Sequence, residues 1–201
     1  MGLLIYTGIV VCIAIYFVIY LRGIFSGKVK PVLATWLFMS LAVLISFLTD
    51  FHQSGIAGIS ANFFNVADSF AVITIFIIIL LRKDTRKTFT QFEKICIGLV
   101  VAILLAWLFD AGDVFTHLAI QAILVIAYLP SLVKLWKAKE NTEALGTWTF
   151  DCIASILGLI IPVMQGDLLP IVYGVRSVVS TVLMIIFIIR IKLKYPASHG
   201  K

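Results

Sequence analysis

Of the 16 Lys and Arg residues in this chain, all but Arg176 lie at every second junction between seven apolar segments or in the C-terminal tail. They are Arg22, Lys28 and Lys30; Arg82, Lys83, Arg86, Lys87 and Lys94; Lys134, Lys137 and Lys139; and Arg190, Lys192, Lys194 and Lys201. The intervening junctions carry none of them and hold Asp110, Asp113 and Asp167, with Asp50 at a segment end. A chain threaded back and forth through a bilayer shows this alternation, because basic loops are retained on the cytoplasmic side. The pattern predicts seven spans with the N-terminus outside and the C-terminus in the cytoplasm, a multi-pass integral membrane protein. The segments are Leu3–Arg22, Pro31–Asp50, Ser60–Arg82, Lys94–Phe109, Val114–Trp136, Ala144–Met164 and Leu168–Arg190. Most approach the ~20 residues that cross the hydrocarbon, and the fourth is the shortest.

Composition agrees. The chain is 62% hydrophobic and 13% charged over 201 residues, with a mean hydropathy of +1.12. A soluble domain of this size has too little interior to hide that much apolar surface, so its solvent is lipid. A net charge of +6 would fit a nucleic-acid partner in a soluble protein. Its confinement to alternate loops points instead to the bilayer, and no nucleic acid is expected. The first segment lacks a basic leader and an A-x-A site, so an uncleaved first helix is expected. Cys12, Cys96 and Cys152 sit in apolar runs without ligand spacing, and no metal or disulfide framework is expected.

The chain also matches itself. Tyr20-Leu21 corresponds to Tyr128-Leu129, 108 residues on, and Thr35-Trp36 to Thr147-Trp148, 112 residues on. The offset returns to 108 at Ala67-Asp68-Ser69 against Val175-Arg176-Ser177, where "DSFAVITIFIIILLRK" lies over "RSVVSTVLMIIFIIRIK". Segments one to three therefore pair with five to seven, both triplets start on the same side, and the fourth segment inverts the chain between them. The expected architecture is an all-α membrane protein of two parallel three-helix repeats joined by a linker helix (3+1+3). The repeats would occupy residues 1–90 and 113–201, with the linker helix at 91–112. Repeats related by an axis along the membrane normal are one transporter plan, with the solute site near the midplane between them.

This layout, together with "YLPSLVKLWKAKENTEALGTW" (Tyr128 to Trp148) and its earlier counterpart "YLRGIFSGKVKPVLATW" (Tyr20 to Trp36), resembles the SWEET sugar transporters and the wider PQ-loop group. That group's motif is a helical Pro-Gln followed by a basic turn and a Ser/Thr-containing entry to the next helix. Pro130 matches the proline, Ser131 stands in place of the glutamine, and the first copy has Leu21-Arg22. The resemblance implies solute transport, with asparagines of the third helix of each repeat touching substrate. Asn65 takes that role in the first repeat, and Tyr173 stands at the matching position of the second.

An ionised group near the bilayer centre costs ~2.5–3.5 kcal/mol on insertion scales, so polar residues inside spans need a reason. Asp68 and Arg176 occupy matched positions about eight residues from their segment ends, or ~12 Å deep. Facing repeats would bring this acid and base together, either as a structural ion pair or as part of a solute site. Asn62, Asn65 and Ser69 flank Asp68 at helical spacing, and Tyr173, Ser177 and Ser180 flank Arg176. These stripes read as pocket lining or as interhelical glue. Pro130 and Pro162 break helical hydrogen bonding and mark hinges or static kinks. Asp151 is a candidate inner gate or coupling group, with a carboxyl kept protonated by burial the plain alternative. His117 and Gln121 read as an exposed polar cap. Trp36, Trp107, Trp136 and Trp148 near segment ends read first as an interfacial belt, with solute stacking the other option.

The expected function is transport of a small polar solute, sugar-like or a related metabolite, by alternating access. The other option is a seven-helix receptor or sorting protein. No nucleotide-binding loop is visible, which leaves facilitated diffusion or proton coupling. A retinal pigment is disfavoured because the last span has no lysine before Lys192. His52, His117 and His199 are scattered, no nucleophile sits beside a base, and neither enzyme activity nor a cofactor is expected. A homo-oligomer is compatible with this layout.

Overall fold

A computed structural model describes residues 2–61, 63–82, 88–109 and 112–195, and the side chains within them other than those of 48–61, 107–108, 113–114 and 169. Asn62, Lys83, Arg86, Lys87, Asp110, His199 and Lys201 lie outside the described residues, as do the side chains of Asp50, His52, Trp107 and Asp113. The described chain is all helix: α1 (Gly2–Phe25), α2 (Leu33–Ala61), α3 (Phe63–Leu81), α4 (Gln91–Phe109), α5 (Asp113–Lys137), α6 (Leu145–Gln165) and α7 (Leu168–Lys194). Among the described residues five helices are long and apolar enough to cross a membrane: α1, α3, α5, α6 and α7. Only 28–50% of each of their most apolar stretches is buried. The outward remainder is itself apolar, including Val10, Val18, Phe70, Ile77, Val125 and Ile186. Such a surface is stable against hydrocarbon and not against water.

The helix ends follow local chemistry. α1 stops at a turn in which Gly27 takes φ +70, the Gly27 N–H donates to Ile24 O, and the Val29 N–H donates to Gly23 O. Gly23 is required there, since a Cβ on it would stand 2.4 Å from Val29 Cγ2. α6 closes on Gly166, also at φ +70, with the Gly166 and Asp167 amides returning to the Pro162 carbonyl. This is the glycine-terminated C-cap that satisfies the last carbonyls. α4 begins at Gln91, three residues before the expected Lys94, because Thr90 and Glu93 form a capping box. The Thr90 N–H and hydroxyl donate to Glu93 Oε2 at 2.5 and 2.7 Å, and the Glu93 N–H donates to Thr90 Oγ1 at 3.2 Å.

The second span departs from its expected end at Asp50. α2 runs on to Ala61, so residues 51–59, expected as a loop, are helical. No proline interrupts that stretch, and at 1.5 Å per residue the helix is ~44 Å long, more than the hydrocarbon thickness.

Packing follows an order the chain does not. α3 touches both α1 and α2, and α7 touches both α5 and α6. Between these groups α1 packs on α6 and α2 on α5, while α3 meets α6 more lightly. α4 stands to one side against α5, with a slighter contact to α2. The C-terminal ends of α1, α3, α5 and α7 gather at one end of the bundle. There Arg82 lies 5.6 Å over the Phe25 ring, Arg190 lies 4.3 Å over the Trp136 ring, and Lys134 donates to Lys30 O. This is the basic end.

Close helix approach depends on glycine where α3 crosses α6. A Cβ on Gly158 would stand 3.0 Å from both Cβ and Cγ of Phe64. Gly158→Val should therefore force these helices apart at a cost of about 1–3 kcal/mol. A lowered thermal unfolding midpoint in detergent is the expected result; an unchanged midpoint would mean that the crossing relaxes freely.

Candidate functional site

Six of the seven helices contribute to one small cavity of ≈30 Å³ within the bundle. Its wall takes Tyr16 from α1, Trp36 and Met39 from α2, Asp68 from α3, Leu124 and Tyr128 from α5, Trp148 and Asp151 from α6, and Tyr173, Arg176 and Ser177 from α7. Two carboxyl groups, one guanidinium and three phenols thus meet inside an apolar bundle. The volume admits a guest the size of a water molecule.

Polar groups here hold one another. The Tyr16 hydroxyl donates to Asp68 Oδ1. Arg176 Nε donates to Gln121 Oε1 at 3.0 Å, and its guanidinium lies 4.7 Å from the Tyr173 ring centroid. Ser177 Oγ shares a 2.8 Å hydrogen bond with Ser155 Oγ. The acid and base expected to pair therefore share a cavity wall without bonding each other; among the described residues the backbones of α3 and α7 stay apart and the two helices meet through the Phe64 and Tyr173 rings. Tyr16 intervenes on one side, Gln121 and Tyr173 on the other. Gln121 was expected to be a surface cap; it is half-buried and holds the arginine.

Aromatic rings close the cavity at both ends. Toward the basic end, Tyr20 stacks 4.8 Å from Trp36 and 6.5 Å from Trp148, and Tyr128 lies 5.9 Å from Trp148. Trp36 Nε1 donates to the Tyr20 hydroxyl at 3.0 Å. Trp36 and Trp148 are only 4% and 3% exposed, so the interfacial-belt expectation is wrong for both. They lie at span ends in sequence but face the bundle interior, where each indole fills the space between converging helices. Trp136, at 59% exposed, faces outward. Toward the opposite end, Tyr173 separates the central cavity from a second void of ≈20 Å³ and packs 5.9 Å from Phe64. Pro162 lines that second void.

Other expected site residues fall elsewhere. Asn65 is fully buried and turned toward α2, where Nδ2 donates to Ser46 Oγ at 2.7 Å. Ser69 returns its hydroxyl to the Asn65 carbonyl at 2.6 Å. Neither lines the cavity. Pro130 lines a wide cleft of ≈980 Å³ at the basic end, together with Lys30, Arg82, Lys134 and Lys137; this cleft shares no lining residue with the central cavity. Its neighbour Ser131 shares a 2.9 Å hydrogen bond with Thr35, joining α5 to α2. Arg176 and Tyr128 also line an apolar groove of ≈450 Å³ between α5 and α7, bordered by the exposed Val125, Val175 and Val179.

Tyr16 carries no charge and matches Leu124 in the repeat, so nothing in its sequence position set it apart. In the structure its hydroxyl is the hydrogen-bond donor to the Asp68 carboxyl. Tyr16→Phe removes that donor and leaves a buried acceptor unsatisfied, a loss of about 1–3 kcal/mol. The expected outcome is a lower unfolding midpoint in detergent. Equal stability of Tyr16→Phe and wild type would show that water replaces the phenol.

No family model, curated protein or solved structure matches this chain.

Proposed function

We propose that this protein is a membrane transporter for a small polar solute, built as two parallel three-helix units, α1–α3 and α5–α7, with α4 as the linker, and working by alternating access around the central cavity. The observation that carries this reading is the composition of the cavity wall. Eight of its fourteen lining residues form pairs that the internal repeat aligns: Tyr16 with Leu124, Trp36 with Trp148, Met39 with Asp151 and Asp68 with Arg176. Helix contacts support it as well, since α1 on α6 and α2 on α5 are the same contact under exchange of the two units. A site at the junction of like-oriented repeats is where such transporters bind their cargo.

The chemistry suits a solute rich in hydroxyl groups. Carboxyl oxygens accept from hydroxyls, the guanidinium donates to them, and aromatic faces pack on the apolar faces of a sugar-like ring. The cavity as it stands is too small for such a guest, so loading requires the units to part at one end. Aromatic closure at the basic end and at Tyr173–Phe64 supplies two candidate barriers for that exchange. Charge alternation along the chain supports an extracellular N-terminus and a cytoplasmic basic end.

Purified protein in sealed vesicles, tested for uptake of a panel of sugars, amino acids and related metabolites, checks this directly. At least one neutral or zwitterionic solute should accumulate faster than in protein-free vesicles. Asp68→Asn and Arg176→Gln should each lower its uptake about tenfold or more, the cost of one lost charged hydrogen bond of ~1.5–3 kcal/mol. Solute binding without uptake would favour the receptor reading. Full uptake in both variants, with only thermal stability reduced, would make the two residues structural.

A further inference from the structure

Glu143 is 3% exposed, yet it lies outside the spans, in the 138–144 linker between α5 and α6. Its Oε2 has no hydrogen-bond partner, and neither do Thr142 Oγ1 beside it in the linker and Thr147 Oγ1 in the first turn of α6. The backbone of this linker is well held. Asn141 brackets Glu143, accepting from its N–H at 3.1 Å and donating to its carbonyl at 2.8 Å. The Lys30 N–H donates to Thr142 O at 3.0 Å, and the Lys134 ammonium donates to Lys30 O. The linker after α1 and the linker after α5 are thereby clasped together, and the Glu143 carboxyl sits beneath the clasp. The groups that face it are Lys134 from α5, Tyr20 from α1 and Trp148 from α6. Tyr20 and Trp148 are also the rings that seal the central cavity toward the basic end.

We propose that Glu143 is a proton-binding site and that its occupancy governs the clasp, closed when the carboxyl carries a proton and released when it does not. Removal from water costs a carboxylate far more than a neutral carboxylic acid, and the Lys134, Trp148 and Tyr20 donors offset only part of that cost in the closed pocket. Swinging the 138–144 linker outward hydrates the ion, breaks the Lys30–Thr142 bond and uncovers the aromatic seal. Burial raises the carboxyl from 4.5 to about 7, even though Lys134, Trp148 and Tyr20 pull it down. The direction of the effect follows. A carboxyl whose value is raised in the closed state stabilises that state fully below its open-state value, and this stabilisation is lost as pH rises through about 7. The closed-to-open ratio should fall on the order of a hundredfold across that window. The Lys134 side chain sets the midpoint, because its charge favours the carboxylate.

The inference rests on the alternating-access reading for its purpose, but its test needs no solute. Backbone hydrogen exchange of residues 26–32 and 138–147 is measured on the full chain in lipid nanodiscs from about pH 5 to about pH 9, corrected for intrinsic exchange rates. Wild type should open about a hundredfold more often at the alkaline limit, with a midpoint near about 7. Glu143→Gln should stay protected throughout, and Lys134→Met should move the midpoint to higher pH. A wild type whose protection ignores pH, a Glu143→Gln profile that tracks wild type, or a Lys134→Met midpoint that stays or falls would each overturn the proposal. A titrating clasp in a protein that transports nothing would leave the proton site standing and remove the transport reading.

Discussion

Hydrocarbon offers no hydrogen-bond partner, so a polar side chain that enters the bundle gains most by finding one on another helix or in its own backbone. That constraint organises this protein. Asn65 reaches Ser46 to tie α3 to α2, Thr35 reaches Ser131 to tie α2 to α5, Ser155 reaches Ser177 to tie α6 to α7, and Tyr16 reaches Asp68 to tie α1 to α3. Arg176 reaches Gln121 to tie α7 to α5. The aliphatic side chains that face lipid are interchangeable, whereas these few bonds fix five of the helix pairs, with α1 on α6 left to apolar packing among the described residues. They also account for the interleaved order in which α3 sits between α1 and α2, and α7 between α5 and α6.

The number and approximate extent of the helices were legible because charge placement and apolar run length are one-dimensional signals. Capping at Thr90–Glu93 was equally legible, since T-x-x-E before an apolar run is a known start, and attention to it would have moved α4 to its true beginning. The continuation of α2 past Asp50 was not. Residues 51–59 mix Phe, Ile and Ala with Gly and Ser, and nothing in that composition separates a polar loop from a helix that outlasts the bilayer. Trp36 and Trp148 show a different limit. An aromatic residue near a span end has the same sequence signature whether it faces lipid headgroups or a neighbouring helix, and only packing separates Trp136 from these two.

Site residues divide in the same way. Asp68, Asp151 and Arg176 stood out because charge is rare in these spans, and all three reach the same cavity. Tyr16 and Tyr128 did not stand out, since tyrosine is unremarkable in an apolar helix, yet each contributes a phenol to the wall. Asn65 lies one helical turn from Asp68 and still faces α2, because a position three residues earlier is rotated about 60° around a helix of 3.6 residues per turn. A polar stripe on one helix is thus wide enough to serve two neighbours, one with glue and one with a cavity.

Under the repeat reading, the positions at which the two units differ carry more information than those at which they agree. Tyr20, Trp36, Tyr128 and Trp148 are the conservative part, and they pack around the seal as two like pairs. Asp68 against Arg176 and Met39 against Asp151 leave one carboxyl on the first unit's side of the cavity and a carboxyl with a guanidinium on the second's, which a symmetric pair of units could not do. Ser131 aligns with Gly23 at the 108-residue offset, so Thr35 has a hydroxyl partner across the interface and its counterpart Thr147 has none. That missing partner leaves the buried Thr147 hydroxyl unpaired, whereas its counterpart in α2 is paired. The α2–α5 contact therefore holds a hydroxyl pair that the α1–α6 contact lacks, a difference of about one hydrogen bond, ~0.5–1.5 kcal/mol, between two contacts that exchange of the units would make equivalent.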